Sequence, residues 1–130
     1  VHVMPRMANF LMKNGPWSQL ISLENIKLFP IVANESVNFK NEIIITPLLV
    51  PHRDEFSETV GYRIQGPNKT VLFIPDIDKW SKWSENLKAI LETVDYAFLD
   101  ATFFAVAIVF SLITLQRALH VWSTGSDSRR

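Results

Sequence analysis

Residues 46–64 carry the sharpest change of character in the chain. An apolar run ending in Leu48-Leu49-Val50-Pro51 meets a burst of ionisable groups, His52-Arg53-Asp54-Glu55 with Glu58, and then Val60, Tyr62 and Ile64 alternate along the next stretch. Alternation puts those three side chains on one face of a strand. Ionised groups are costly to bury unless paired or bound to a metal, so few strand interiors hold such a burst. His52, Asp54, Glu55 and Glu58 are therefore expected at a strand end, lining a cleft.

The elements around this loop follow from punctuation and period. Met7, Phe10 and Leu11 stand at helical spacing within Pro5–Lys13, and Asn14-Gly15-Pro16 stops that helix. A second short helix is expected over Trp17–Ser22, with Pro16 in its first turn, and His2-Val3-Met4 has the look of a strand end. A brief strand crossed by Pro30 is expected over 26–32, followed by turn chemistry at Asn34-Glu35-Ser36. The apolar run over 43–50 is too continuous for a strand with one wet face, which predicts burial on both sides. Val60–Gln65 and Thr70–Ile74 flank the polar turn Gly66-Pro67-Asn68-Lys69 and form a hairpin. Trp80, Trp83, Leu87, Ile90 and Leu91 make one stripe of an amphipathic helix over 79–93, with Asp78 as its N-cap. Another apolar strand, 94–99, ends at Asp100. Strand, hairpin, helix, strand, with a carboxylate at each exit, indicates a layered α/β domain whose polar residues collect along one sheet edge.

Composition narrows the chemistry. At 130 residues with 48% hydrophobic content the chain has room for one domain and its core. Thirteen basic and 13 acidic side chains cancel, so nothing favours a nucleic acid partner. With no cysteine, disulfides, thiolate zinc sites and redox dithiols are excluded, and the strong metal ligands left are imidazole and carboxylate. No basic and apolar leader opens the chain, which gives a cytoplasmic expectation, and Val1 in place of an initiating Met suggests a start inside a longer protein.

The tail differs in kind. Residues 101–115 are almost wholly apolar, and 123–130 form a small polar end expected to be disordered. Fifteen residues fall short of the roughly 20 that cross a bilayer. An apolar tail helix over 105–122 is expected, with membrane attachment through 101–115 as the alternative.

His52 and Asp76 each stand at the end of a strand, and Asp100 ends a third; imidazole with carboxylate oxygens suits a borderline divalent ion. The competing assignment is structural: a His after Val-Pro as a hydrogen-bonding residue and an Asp before a helix as its cap. Trp80 and Trp83 are assigned to core or cleft wall, and Arg53 is expected to pair with its acidic neighbours. Ser57 has no histidine at a nucleophile's spacing, and Gly61 and Gly66 form no phosphate loop.

Three stretches carry a resemblance. Val50-Pro51-His52-Arg53-Asp54-Glu55-Phe56-Ser57-Glu58-Thr59-Val60-Gly61-Tyr62-Arg63-Ile64, Leu72-Phe73-Ile74-Pro75-Asp76-Ile77-Asp78-Lys79-Trp80 and Asp95-Tyr96-Ala97-Phe98-Leu99-Asp100-Ala101-Thr102-Phe103-Phe104 resemble the metallo-β-lactamase superfamily. Within it they are most similar to the branch containing the coenzyme pyrroloquinoline quinone (PQQ) synthesis protein B. Met4-Pro5-Arg6-Met7, Phe10-Leu11 and the stretch from Asn14 to Leu20 resemble the same branch. The likeness covers residues 1–104 and implies the C-terminal portion of an αββα sandwich with a metal cleft along one sheet edge. It implies His52 as a metal ligand, Asp76 as a carboxylate that bridges where two ions bind, and Asp100 of Asp100-Ala101-Thr102 as a carboxylate that orients a ligand or water. Asp54, Glu55, Glu58 and Asp78 belong to the branch's pattern as cleft lining or loop partners.

Two departures accompany it. The family's His-x-His-x-Asp-His motif is absent, and after Phe104 nothing matches the strand that carries its last ligand histidine; His2 and His120 sit in other contexts. A shifted frame, an unspliced segment or a gene remnant would each produce such a tail. The intact parent is expected to use one or two divalent ions, zinc or iron, to activate water against a small-molecule substrate, while this chain alone is not expected to hold metal tightly. The resemblance also admits an iron-dependent hydroxylation of a tyrosine-derived precursor. From another class comes an inactive partial domain or scaffold, tethered to a membrane by its tail. His52-Arg53-Asp54 with His120 as a facial triad is a further alternative, which the strand order does not suggest.

Overall fold

The computed structural model describes residues 1–100. The chain divides into two units, Val1–Leu99 and Asp100–Arg130. The expected tail helix over 105–122, the apolar run 101–115 and the polar end 123–130 lie outside the described residues. Among the described residues no helix is long and apolar enough to cross a membrane.

Unit one is built on a five-stranded sheet in the order β3 (Val37–Asn38), β4 (Ile44–Leu49), β5 (Val60–Gln65), β6 (Thr70–Ile74) and β7 (Tyr96–Leu99). β3 through β6 run antiparallel to their neighbours, and β7 lies parallel to β6 with Ile74 opposite Leu99. β4, β6 and β7 therefore point the same way, and their C-terminal ends share one sheet edge. Pro47 sits inside β4, where a missing N–H would break a ladder. β3 pairs only with Ile44 and Ile45, so Pro47 lies where that side of β4 is an edge, and its carbonyl accepts from the Asn34 N–H at 2.8 Å.

One face of the sheet carries the core. Leu72 and Ile74 are fully buried, and Val50, Ile77, Trp83 and Val94 complete the cluster, with Leu48, Leu87, Ile90, Leu91 and Leu99 packed against it. The covering layer is a 3-10 turn, Trp80–Lys82, followed by a short helix α3, Leu87–Leu91. The continuous helix expected over 79–93 is thus corrected to two pieces. Asn86 breaks it: its side chain accepts from the Ala89 N–H at 3.2 Å and starts a new helix there. Asp78 is not the cap; its carboxylate is bonded to Lys82 instead.

The opposite face meets the expectation of burial on both sides only in part. Cα partners share a face, so Leu49, Val60, Tyr62, Phe73, Tyr96 and Phe98 line one side of the sheet. Leu49 is 49% exposed, Phe73 39%, Tyr96 55% and Phe98 60%. Burial along β4 is uneven: Pro47, on the same side as Leu49, is fully buried and Leu48 is half-buried, so this face opens only toward Leu49 and the β6–β7 end that bears Phe73, Tyr96 and Phe98.

The N-terminal segment holds a parallel pair, β1 (His2–Val3) with β2 (Phe29–Pro30), and two helices, α1 (Pro5–Lys13) and α2 (Trp17–Ser22). Pro5 opens α1, where its fixed φ suits a helix and its missing N–H leaves no bond unmade. Asn14 closes it, donating from Nδ2 to the Phe10 carbonyl at 2.8 Å. The strand expected over 26–32 contracts to Phe29–Pro30.

Candidate metal centre

The chain leaves β4 through Val50, whose N–H donates to the Thr59 carbonyl at 3.1 Å, and reaches Pro51 and His52. It leaves β6 through Pro75 to Asp76. One bond ties the two exits: the Asp78 N–H donates to the Pro51 carbonyl at 2.7 Å. Parallel strand directions and that bond bring His52 Nε2 to 3.2 Å from Asp76 Oδ1. The imidazole is the more enclosed partner, with 24% of its side chain exposed against 61% for Asp76.

The other ring nitrogen defines the chemistry. His52 Nδ1 lies 3.2 Å from the Arg53 carbonyl, and a carbonyl can only accept, so Nδ1 carries the hydrogen. In the neutral ring Nε2 then presents a lone pair, and it faces a carboxylate oxygen that also only accepts. Two acceptors at that distance need a positive particle between or on them: a proton on Nε2, or a metal cation. A backbone carbonyl fixing the far nitrogen is the usual support of a metal-ligating histidine.

The donors fit zinc or iron in kind. Two ligand atoms about 2.0–2.2 Å from a tetrahedral zinc lie roughly 3.3–3.6 Å apart, near the observed separation. In number they are a partial set: among the described residues no three His, Asp or Glu side chains converge. Further donors would have to come from elsewhere. Asp100 directly follows Leu99 of β7 and begins the second unit.

Beside the pair, Asp78 is a second anion. The Lys82 ammonium bonded to it holds its carboxyl below the ordinary carboxylate range; desolvation acts the other way, and the charges of Lys82, Lys79 and His52 add to the lowering. A carboxyl depressed in the folded state contributes stability above the unfolded value, and that contribution is lost as pH falls through the folded value. Lys82→Met is expected to return Asp78 toward the ordinary range, seen as an upward shift of its midpoint in carboxyl 13C NMR.

The remaining acidic residues have separate tasks. Asp54 pairs with Arg6 at 2.7 Å. Glu58 accepts from the Arg6 backbone N–H at 3.0 and 3.1 Å, capping the first turn of α1. Glu55, with Phe56, Asn9, Phe10 and Lys13, lines an open cleft of about 290 Å³. Arg6, not the expected Arg53, is the partner of this acidic loop. Sequence reasoning missed it because the bond joins residues 48 positions apart, and no local spacing announces such a pair. Trp83 is buried and its Nε1 donates to the Leu49 carbonyl at 2.7 Å, with Trp80 edge-on at 6.0 Å, which makes both indoles part of the core side.

Comparisons with known proteins add the following. The chain is similar to the crystal structure of Zn2+-bound PqqB from Methylobacterium extorquens, with a TM-score of 0.58 and 22% identity over 76% of this chain and 32% of that one. At that identity the likeness establishes the fold, and the chain spans about a third of that protein's length. No curated protein sequence matches. The family profile of the beta-lactamase superfamily domain matches residues 1–123. With a mixed α/β architecture that is that of the metallo-β-lactamase fold, the chain belongs to the beta-lactamase superfamily domain family.

Proposed function

We propose that this chain is part of a metal-dependent hydrolase of the metallo-β-lactamase fold, in which His52 and Asp76 supply two of the ligands and Asp100 orients a ligand or water. The observation that supports it is the approach of His52 Nε2 to Asp76 Oδ1 at 3.2 Å, while Nδ1 is held by the Arg53 carbonyl. When bound, a zinc or iron ion would supply Lewis acidity and a water acidic enough to ionise near neutrality. The chain's own residues supply position. The Arg53 carbonyl fixes the imidazole tautomer, so that Nε2 meets the cation as a neutral donor. Asp76 offers a carboxylate at a solvent-facing strand exit, where a small-molecule substrate can approach. Asp78, kept ionised by Lys82, adds negative potential beside the pair.

The test is a zinc titration of the full chain, following the ring protons of the three histidines by NMR. The His52 resonances are expected to shift saturably, and Asp76→Ala to weaken that binding by about tenfold or more, since even outer partners of a ligand are worth roughly 10–100-fold. A His52 signal indifferent to zinc would overturn the proposal and favour a catalytically silent partial domain.

A further inference from the structure

We infer that Arg6, on α1, is a positioning residue that sets the orientation of His52 through the loop that follows it. The inference rests on the reading of His52 as a metal ligand. Arg6 Nη1 donates to Asp54 Oδ2 at 2.7 Å; Nη2 donates to the Asp54 carbonyl and lies 3.5 Å from the Glu55 carbonyl. Its backbone N–H meets both oxygens of Glu58. One residue thus holds the loop at Asp54, Glu55 and Glu58.

The path to the imidazole is short. The Arg53 carbonyl that accepts from His52 Nδ1 belongs to the peptide unit joining Arg53 to Asp54. Fixing Asp54 at both its carboxylate and its carbonyl holds the Cα that ends that peptide plane, the plane in turn restrains Nδ1, and the ring then aims Nε2 at Asp76. A planar guanidinium suits this task because its donors lie in a rigid fork that reaches several oxygens at once, whereas an ammonium is a rotating point charge. The Arg6 and Asp54 side chains are 47% and 55% exposed, so the pair adds little to global stability. Its consequence is geometric, at a ligand two peptide units from the anchor at Asp54.

Zinc titrations of the full chain, read at the His52 ring protons, test this with Arg6→Ala, Arg6→Lys and Asp54→Ala, beside urea unfolding of each variant. Arg6→Ala is expected to weaken zinc binding at His52 by about tenfold, in the range for lost outer partners of a ligand. Arg6→Lys should weaken it also, although the charge remains, and Arg6→Ala with Asp54→Ala should be no worse than either alone. Urea midpoints should stay close to the parent's. Unchanged zinc affinity in Arg6→Ala, or a loss that merely follows a fall in the urea midpoint, would overturn the inference while leaving His52 as a ligand. Where Arg6→Ala does not fold, Arg6→Lys decides by the same criterion. If the parent chain shows no zinc response at His52, the ligand reading fails and the inference fails with it.

Discussion

Trp83→Ala is expected to destabilise unit one by about 3–5 kcal/mol, a large fraction of the roughly 5–15 kcal/mol that separates folded from unfolded domains. The indole is 8% exposed and belongs to the cluster of Val50, Leu72, Ile74, Ile77 and Val94. Removing it leaves a cavity under the 3-10 turn and takes the donor from the Leu49 carbonyl at the end of β4. The two contributions separate with a second variant. Trp83→Phe keeps most of the ring and loses the N–H, so about 1 kcal/mol from the bond plus the smaller volume change is expected. Urea denaturation of the three proteins measures both. A Trp83→Ala loss below about 1 kcal/mol would show that the layer over Leu72 and Ile74 contributes little.

The second large effect is at Gly61, which lies in β5 across from Ile74. A Cβ there would stand 2.5 Å from Ile74 Cγ1 and 3.1 Å from the Phe73 carbonyl oxygen. The first contact is far inside van der Waals distance and involves a fully buried side chain, which must move into the core. Gly61→Ala is expected to cost about 1–3 kcal/mol as overpacking, against a gain of roughly 0.4–1 kcal/mol from a less flexible unfolded chain. Gly61→Val should cost more. The mechanism predicts coupling: in an Ile74→Ala background, where Cγ1 is gone, the Gly61→Ala penalty should shrink markedly, as a double-mutant cycle would measure. Additive penalties would place the cost in the backbone.

The parts legible in the sequence were those in which neighbours along the chain decide the structure. Pro5, the Asn14-Gly15-Pro16 stop and the turn Gly66-Pro67-Asn68-Lys69 are local signals, and α1, α2 and the β5–β6 hairpin have the expected bounds. Where an outcome depended on a distant layer, the expectation failed. The stripe from Trp80 to Leu91 is real as a packing surface, yet Asn86 divides it because a capping side chain competes with helix continuation. The apolar run of β4 could not disclose that one face is buried at Pro47 and open at Leu49, two residues on. The approach of His52 and Asp76 followed from strand exits on one edge and is observed at 3.2 Å. The partner of Asp54 and Glu58 did not follow, because it lies in a helix on the far side of the sequence.

The sheet's connectivity also orders events in time. β4, β5 and β6 form a meander in which β5 and β6 close by the short turn 66–69 and β4 and β5 across the longer loop 50–59, so the β5–β6 pairing can assemble first. β7 joins β6 in parallel and must wait for the intervening crossover to dock. The Arg6 bonds span 48 and 52 residues and close the largest loops, so they form last. Substitutions at Arg6, an exposed pair of small energetic weight, should therefore leave the refolding rate unchanged and the unfolding rate nearly so, whereas changes at Leu72 should slow refolding.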